Sequence, residues 1–240
     1  MPTATLPDDL AAATELADKG NQPYPNETGE YRRARTALLA EEIELRRQIQ
    51  RVAARRRALP PGGEAGDYRF RTEDGDEVGL ADLFGDHDTL FTYFWMFGPE
   101  RDRPCPMCTS FLGSLDVPTV DLDQRIALAV IGRSPVARQL AFARERGWRN
   151  LRFYETVGDD FARDYHALSP DGEEGAAVDV WVRDGDAIRH SWGAEGGGET
   201  ADPGFDPHLA PDVMLWNILD LTPGGRGLDW YPALQYGPTG

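Results

Sequence analysis

The sequence predicts an α/β fold: a mixed sheet flanked by helices, preceded by a long helical extension at the N-terminus. Three observations lead there. Residues 89–97 (TLFTYFWMF) and 126–131 (IALAVI) are nearly unbroken apolar runs, too short for a membrane and suited to central strands buried on both faces. Helix signals separate these runs. Near the end, Val178, Val180 and Val182 alternate with other residues, turn at Asp184-Gly185 and return through Ile188, His190 and Trp192, which describes an antiparallel hairpin. Parallel strands at the centre with antiparallel ones at an edge follow from this order.

The first 66 residues read as an extension to a domain spanning 67–240. After a weak helix at 8–18 and a Pro/Asn/Gly-rich connector, residues 31–59 hold nine arginines against three glutamates, with no Gly or Pro. Leu38, Leu45, Val52 and Leu59 recur every seven residues with Leu39, Ile43 and Ile49 between them, so one helix of about seven turns is expected. Its apolar stripe calls for a partner surface, on its own domain or on a second copy in a homodimer.

The remaining elements follow in order. Residues 68–71 and 77–80 flank Asp74-Gly75-Asp76 as a hairpin, and Leu80 to Gly85 make a short helical turn ending in glycine. After the strand at 89–97, a helix is expected at 105–115. Ser134-Pro135 reads as a cap followed by proline at the first helical position, starting a helix that runs to Arg146 and leaves through Gly147. A strand at 151–154 and a helix at 159–168, with Phe161, Tyr165 and Leu168 along one face, precede the hairpin. Residues 193–211 form an acidic, Gly-rich loop, 212–221 a closing helix, and Trp230, Tyr231 and Tyr236 lie in a turn-rich tail that could cover core surface.

Composition narrows function by exclusion. The 240 residues include 41 acidic and 25 basic ones, a net charge of −16; since residues 31–59 contribute +6, the remainder carries −22. Sequence-independent binding of nucleic acid or of an anionic bilayer needs the opposite sign. No apolar run reaches the eighteen residues of a spanning helix, and the first twenty residues lack the basic start and apolar stretch of a secretory signal, so a cytoplasmic protein is expected.

Only two cysteines are present, in Cys105-Pro106-Met107-Cys108. Three residues apart at the start of a helix, both sulfurs share one face, and the first meets unpaired backbone N–H groups and the positive dipole end that stabilise a thiolate. Cys105 would then be the attacking thiol and Cys108, continued by the apolar face of Phe111, Leu112 and Leu115, the inward resolving thiol. Pro106 suits the first turn because its missing N–H would be unpaired there anyway. Zinc binding and inert burial compete with this reading. Neither a second cysteine pair nor ligand spacing among His87, His166, His190 and His208 supports the former. Arg101 and Arg103 could favour a Cys105 thiolate but alternate with Glu100 and Asp102; His190 reads as a hydrogen-bonded core histidine; and Trp95 is either a neighbour of the thiols or a plain core aromatic.

The order of these pieces resembles the thioredoxin-like family catalogued as domain of unknown function 899, described as predicted dithiol-disulfide oxidoreductases. The matching features are Arg56-Arg57-Ala58-Leu59-Pro60, Tyr68-Arg69-Phe70, Leu80 to Gly85, Tyr93 to Gly98, Cys105 to Ser110, Arg183-Asp184-Gly185 and Leu219-Asp220-Leu221-Thr222-Pro223. The resemblance implies a thioredoxin-like fold and a redox site at Cys105 and Cys108, shaped by Pro106, Met107, Trp95 and Ala177. It requires no bound cofactor; partners would be a disulfide-bearing protein or small thiol and an external reductant. Two departures stand out. Gly175-Ala176-Ala177 occupies the place where thioredoxins carry a proline opposite the cysteines, and residues 96–104 lengthen the stretch between the Trp-bearing strand and Cys105. The proline and Thr/Ser spacing of peroxiredoxins is absent, which leaves a thiol peroxidase, alongside a redox-inactive scaffold, as an alternative.

Overall fold

A computed structural model describes residues 10–20, 22–194, 214–225, 227 and 230–236. The chain forms two compact units, Met1–Pro60 and Pro61–Gly240. Residues 61–66 go with the second because Ala65 N–H donates to the Ile188 carbonyl and the Gly63 carbonyl accepts from His190 N–H, adding a short edge to the final hairpin.

In the first unit, α1 (Ala13–Lys19) packs on α2 (Gly29–Arg57). Thr28 caps α2, its hydroxyl accepting from Tyr31 N–H at 3.1 Å, and three arginines fill the last turn, where the helix dipole favours cations. The buried face takes up only part of the expected apolar stripe. Ala40 and Ile43, with Leu39, pack against Ala17, whereas Leu38, Leu45 and Ile49 are exposed. A short helix such as α1 covers only one strip of the α2 surface.

The second unit holds one seven-stranded sheet in the order β2-β1-β5-β4-β3-β6-β7, comprising β1 (Arg69–Arg71), β2 (Glu77–Gly79), β3 (Thr89–Phe94), β4 (Ala127–Gly132), β5 (Phe153–Thr156), β6 (Ala177–Asp184) and β7 (Ala187–Gly193). The central strands β3, β4 and β5 are parallel; β6 and β1 join them antiparallel. Every residue of β4 is buried, as its apolar composition requires. On one face lie α3 (Pro106–Asp116), α5 (Val136–Arg146) and α7 (Met214–Asp220), sharing a core of Tyr93, Trp95, Leu112, Val130, Phe142 and Trp216. The other face packs Phe70, Phe84, Leu90, Ile131 and Trp181 with α6 (Asp160–Asp164) and a 3-10 turn at Leu80–Phe84. The short α4 (Thr119–Leu122) links α3 to β4. This is a thioredoxin-like α/β arrangement carrying an N-terminal helical unit.

Several boundaries depart from expectation. The strand expected over 89–97 ends at Phe94, because the chain turns tightly at Met96, where Phe97 N–H reaches back to the Trp95 carbonyl. Pro135 occupies the cap of α5 rather than its first turn, and the fully buried Ser134 makes no cap bond. The helix expected over 159–168 stops at Asp164: His166 takes a left-handed φ of 59° and the Ala162 carbonyl accepts from both Ala167 and Leu168, turning those residues into the core. Gly147, with φ 76°, ends α5 as its sequence suggested. The hairpin turn falls at Gly185-Asp186, one residue later than read. Most of the loop expected over 193–211 lies outside the described residues. From the tail, Leu234 packs on the first core and Trp230 meets Trp216 edge-on, while Trp230, Tyr231 and Tyr236 are largely exposed.

Candidate functional site

The site forms where the parallel strands end. β3 delivers Trp95, whose N–H still donates to the Ile131 carbonyl on β4, and the chain then leaves the sheet. Residues 97–104 loop out and return to their starting point, for Cys105 N–H donates to the Met96 carbonyl at 3.1 Å. Helix α3 begins there, with Cys105 at its cap and Pro106 at the first helical position. The Cys105 carbonyl accepts from both the Thr109 backbone and the Thr109 hydroxyl, fixing the first turn.

Both cysteines are free thiols and their environments diverge. Cys105 is half-buried, whereas Cys108 is 2% exposed and sits in the core with Met107, Phe111 and Leu112. A hydrogen bond from the Cys108 thiol is the largest influence holding Cys105 down, to about 6; burial opposes it, and the Cys108 and Met107 N–H groups and the Arg101 charge add to it. Cys108 moves the opposite way, well above an ordinary thiol, because it gives its proton to that bond and because it is buried. One thiol is thus poised as an anion at neutral pH and its neighbour as a proton donor.

The residues expected around the pair divide. Met107 is buried in the same core as Cys108, and Pro106 opens the helix. Trp95 is completely buried in that cluster, its rings 4.9–5.8 Å from Phe97, Phe142, Trp148 and Phe153, so it supports the floor and is closed to solvent. Ala177 is a correction: it begins β6 opposite Phe94 and packs into the other core with Trp181. With side chains alternating across the sheet, its neighbour Ala176 instead packs on the thiol-side core that Cys105 also borders.

Three residues went unnoticed in the sequence. Tyr93, two positions before Trp95 on the same strand face, is 5% exposed and its hydroxyl bonds to Cys108; burial first, then the cysteines, push its own ionisation well up. Period-two placement could have signalled it. Glu174 and Arg138 gave no local signal, since each acts on a loop distant in sequence. The Glu174 carboxylate, 6% exposed, accepts from Gly98 N–H at 2.9 Å, Arg101 Nε at 3.1 Å and Arg133 Nη1 at 3.2 Å. Arg138 donates to the carbonyls of Gly98, Arg101 and Asp102. His190, away from the thiols, bonds Asp179 at 2.8 Å.

Among the described residues, no group of three or more His, Cys, Asp or Glu side chains is arranged to hold a metal ion, and no helix is long and apolar enough to cross a membrane.

Similar solved structures include a peroxiredoxin-like protein from Aquifex aeolicus, 15% identical over 56% of this chain and 75% of its own, with a TM-score of 0.41. The exposed lipoprotein thioredoxin Etrx1 of Streptococcus pneumoniae is 12% identical over 64% of this chain and 98% of its own, at 0.40. The reduced 2-Cys peroxiredoxin of Plasmodium vivax is 17% identical over 57% and 85%, at 0.43. No curated protein matches the sequence. The family model described as bacterial protein of unknown function (DUF899) matches residues 21–236, nearly the whole chain, and this protein belongs to that family.

Proposed function

We propose that this protein is a thiol–disulfide oxidoreductase in which Cys105 attacks and Cys108 resolves. The Cys105 thiolate displaces one sulfur of a substrate disulfide, forming a mixed disulfide and releasing a thiolate that takes up a proton from solvent. Cys108 then loses its proton and attacks the Cys105 sulfur, which expels the second substrate thiolate and leaves a Cys105–Cys108 disulfide. The substrate gains two electrons; an external dithiol returns them to the pair. Substrates of this class are disulfide-bearing proteins or small disulfides.

The observation that carries the reading is the asymmetry of the pair: a half-buried thiol held at about 6 at a helix start, backed by a sealed thiol bonded to it. The experiment is a trap. Cys108→Ser, incubated with glutathione disulfide, should accumulate a glutathione adduct on Cys105 by mass spectrometry, while wild type passes through it to an internal disulfide. A Cys105 thiol titrating near the free value of about 8.5 without adduct would overturn the reading in favour of a scaffold. Rapid oxidation by hydrogen peroxide with none by disulfides would overturn it in favour of a thiol peroxidase.

A further inference from the structure

The loop that lengthens the path from β3 to Cys105 has little internal bonding. Its own backbone contributes a bond from Arg101 N–H to the Gly98 carbonyl at 3.2 Å and the closure at Met96. What holds it comes from outside. Arg138, in the first turn of α5, points Nη1 at the Gly98 carbonyl (3.3 Å) and Nη2 at the Asp102 carbonyl (3.0 Å) and the Arg101 carbonyl, with its guanidinium 4.4 Å above the centre of the Phe97 ring. Among the described residues Arg138 forms no ion pair; its donors go to the loop's carbonyls. From the other side, Glu174 takes Gly98 N–H and Arg101 Nε, and is itself anchored by Arg133, which Asp159 holds at 2.9 Å. Gly98 is required between them, because a Cβ there would overlap the Glu174 carboxylate.

We propose that Arg138 is a positioning residue for the nucleophile: by gripping three carbonyls of the loop that ends at Cys105 it fixes how the chain enters α3. The proposal rests on the reading of Cys105 as the attacking thiol. A planar fork can serve three carbonyls from one side chain while lying flat on Phe97; an ammonium on a flexible stem cannot reproduce that geometry, although it keeps the charge. The substitution Arg138→Lys therefore separates position from charge.

The test follows iodoacetamide alkylation of Cys105 against pH in the reduced full chain, for wild type, Arg138→Lys, Arg138→Met and Gly98→Ala, with adducts mapped by mass spectrometry. The pH midpoint reads ionisation of the thiol, which a purely structural role would not move; the plateau at high pH reads access. Both Arg138 variants should raise the midpoint by about one unit, slowing alkylation at pH 6 about five-fold with the plateau kept within about two-fold. Gly98→Ala, which loosens the loop through Glu174 and leaves Arg138 in place, should shift it the same way and serves if an Arg138 variant does not fold. Midpoints equal to wild type in the folded variants would overturn the proposal, as would a wild-type midpoint in Arg138→Lys alone, since charge would then suffice. A wild-type protein that itself titrates near about 8.5 would instead sink the proposed function, so the two failures are distinguishable.

Discussion

Removing the Cys108 thiol should raise the pH at which Cys105 ionises, even though Cys108 is sealed from solvent. The largest influence lowering Cys105 is the hydrogen bond it accepts from Cys108, ahead of the N–H groups of Cys108 and Met107 and the charge of Arg101. Hydrogen bonds to charged groups contribute about 1.5–3 kcal/mol, and the half-buried position of Cys105 argues for the lower end. At about 1.36 kcal/mol per unit, that is a rise of about one unit, from about 6 to about 7. Cys108→Ala removes the donor, whereas Cys108→Ser keeps a hydroxyl in the same place. Each variant retains a single cysteine, so thiolate absorbance in the ultraviolet or alkylation rate against pH gives the midpoint without assignment. At pH 6.5 the Ala variant should react about three-fold more slowly than the Ser variant, the two converging above about pH 9. Equal midpoints for Ala and Ser would show that the helix start and Arg101 suffice and that the bond between the sulfurs contributes nothing to ionisation.

The remaining predictions concern the same face of the sheet. Tyr93→Phe removes a hydroxyl that favours the Cys108 thiolate, so the resolving step, read as decay of the glutathione adduct, should slow about ten-fold or more while adduct formation is unchanged. Because folding depresses Cys105 to about 6, the unfolded chain binds more protons between that value and about 8.5; stability should rise with pH through this window, and the thermal midpoint of reduced wild type relative to Cys105→Ser should rise with it. Leu112→Ala, at a fully buried position of α3 behind Cys108, should cost about 2–5 kcal/mol in denaturant unfolding of the reduced protein.

What the sequence disclosed followed local rules. The apolar runs at 89–97 and 126–131 located the two central strands, Gly147 marked the end of α5, and Cys105-Pro106 marked the start of α3, because each depends on a few adjacent residues. Failures came where a distant contact outweighed the local pattern. Of the apolar stripe read along α2, Leu39 and Ile43 pack on α1, while Leu38, Leu45, Ile49 and Leu59 stay exposed. The Phe161-Tyr165-Leu168 spacing suggested three helical turns, yet the pull of Ala167 and Leu168 into the core ends the helix early. Ala177 was assigned to the site because Gly175-Ala176-Ala177 holds the place of the thioredoxin proline, whereas the strand's alternation turns it to the far face. Arg138 and Glu174 meet the loop only through the fold, 36 or more residues away, which no local spacing reveals.

Because the backbone rejoins itself at Met96 and Arg138 holds the excursion by its carbonyls, the geometry at the sulfur depends on the loop's backbone and not on its outward side chains. Substitutions at the exposed Glu100 and Asp102, whose side chains lie outside the contacts of Arg138 and Glu174 with the loop, are therefore free to remodel the rim that an incoming molecule meets while leaving the reactive centre where it is. Those outward side chains behave as an interchangeable collar, and selectivity can drift in such a protein without the chemistry having to be rebuilt.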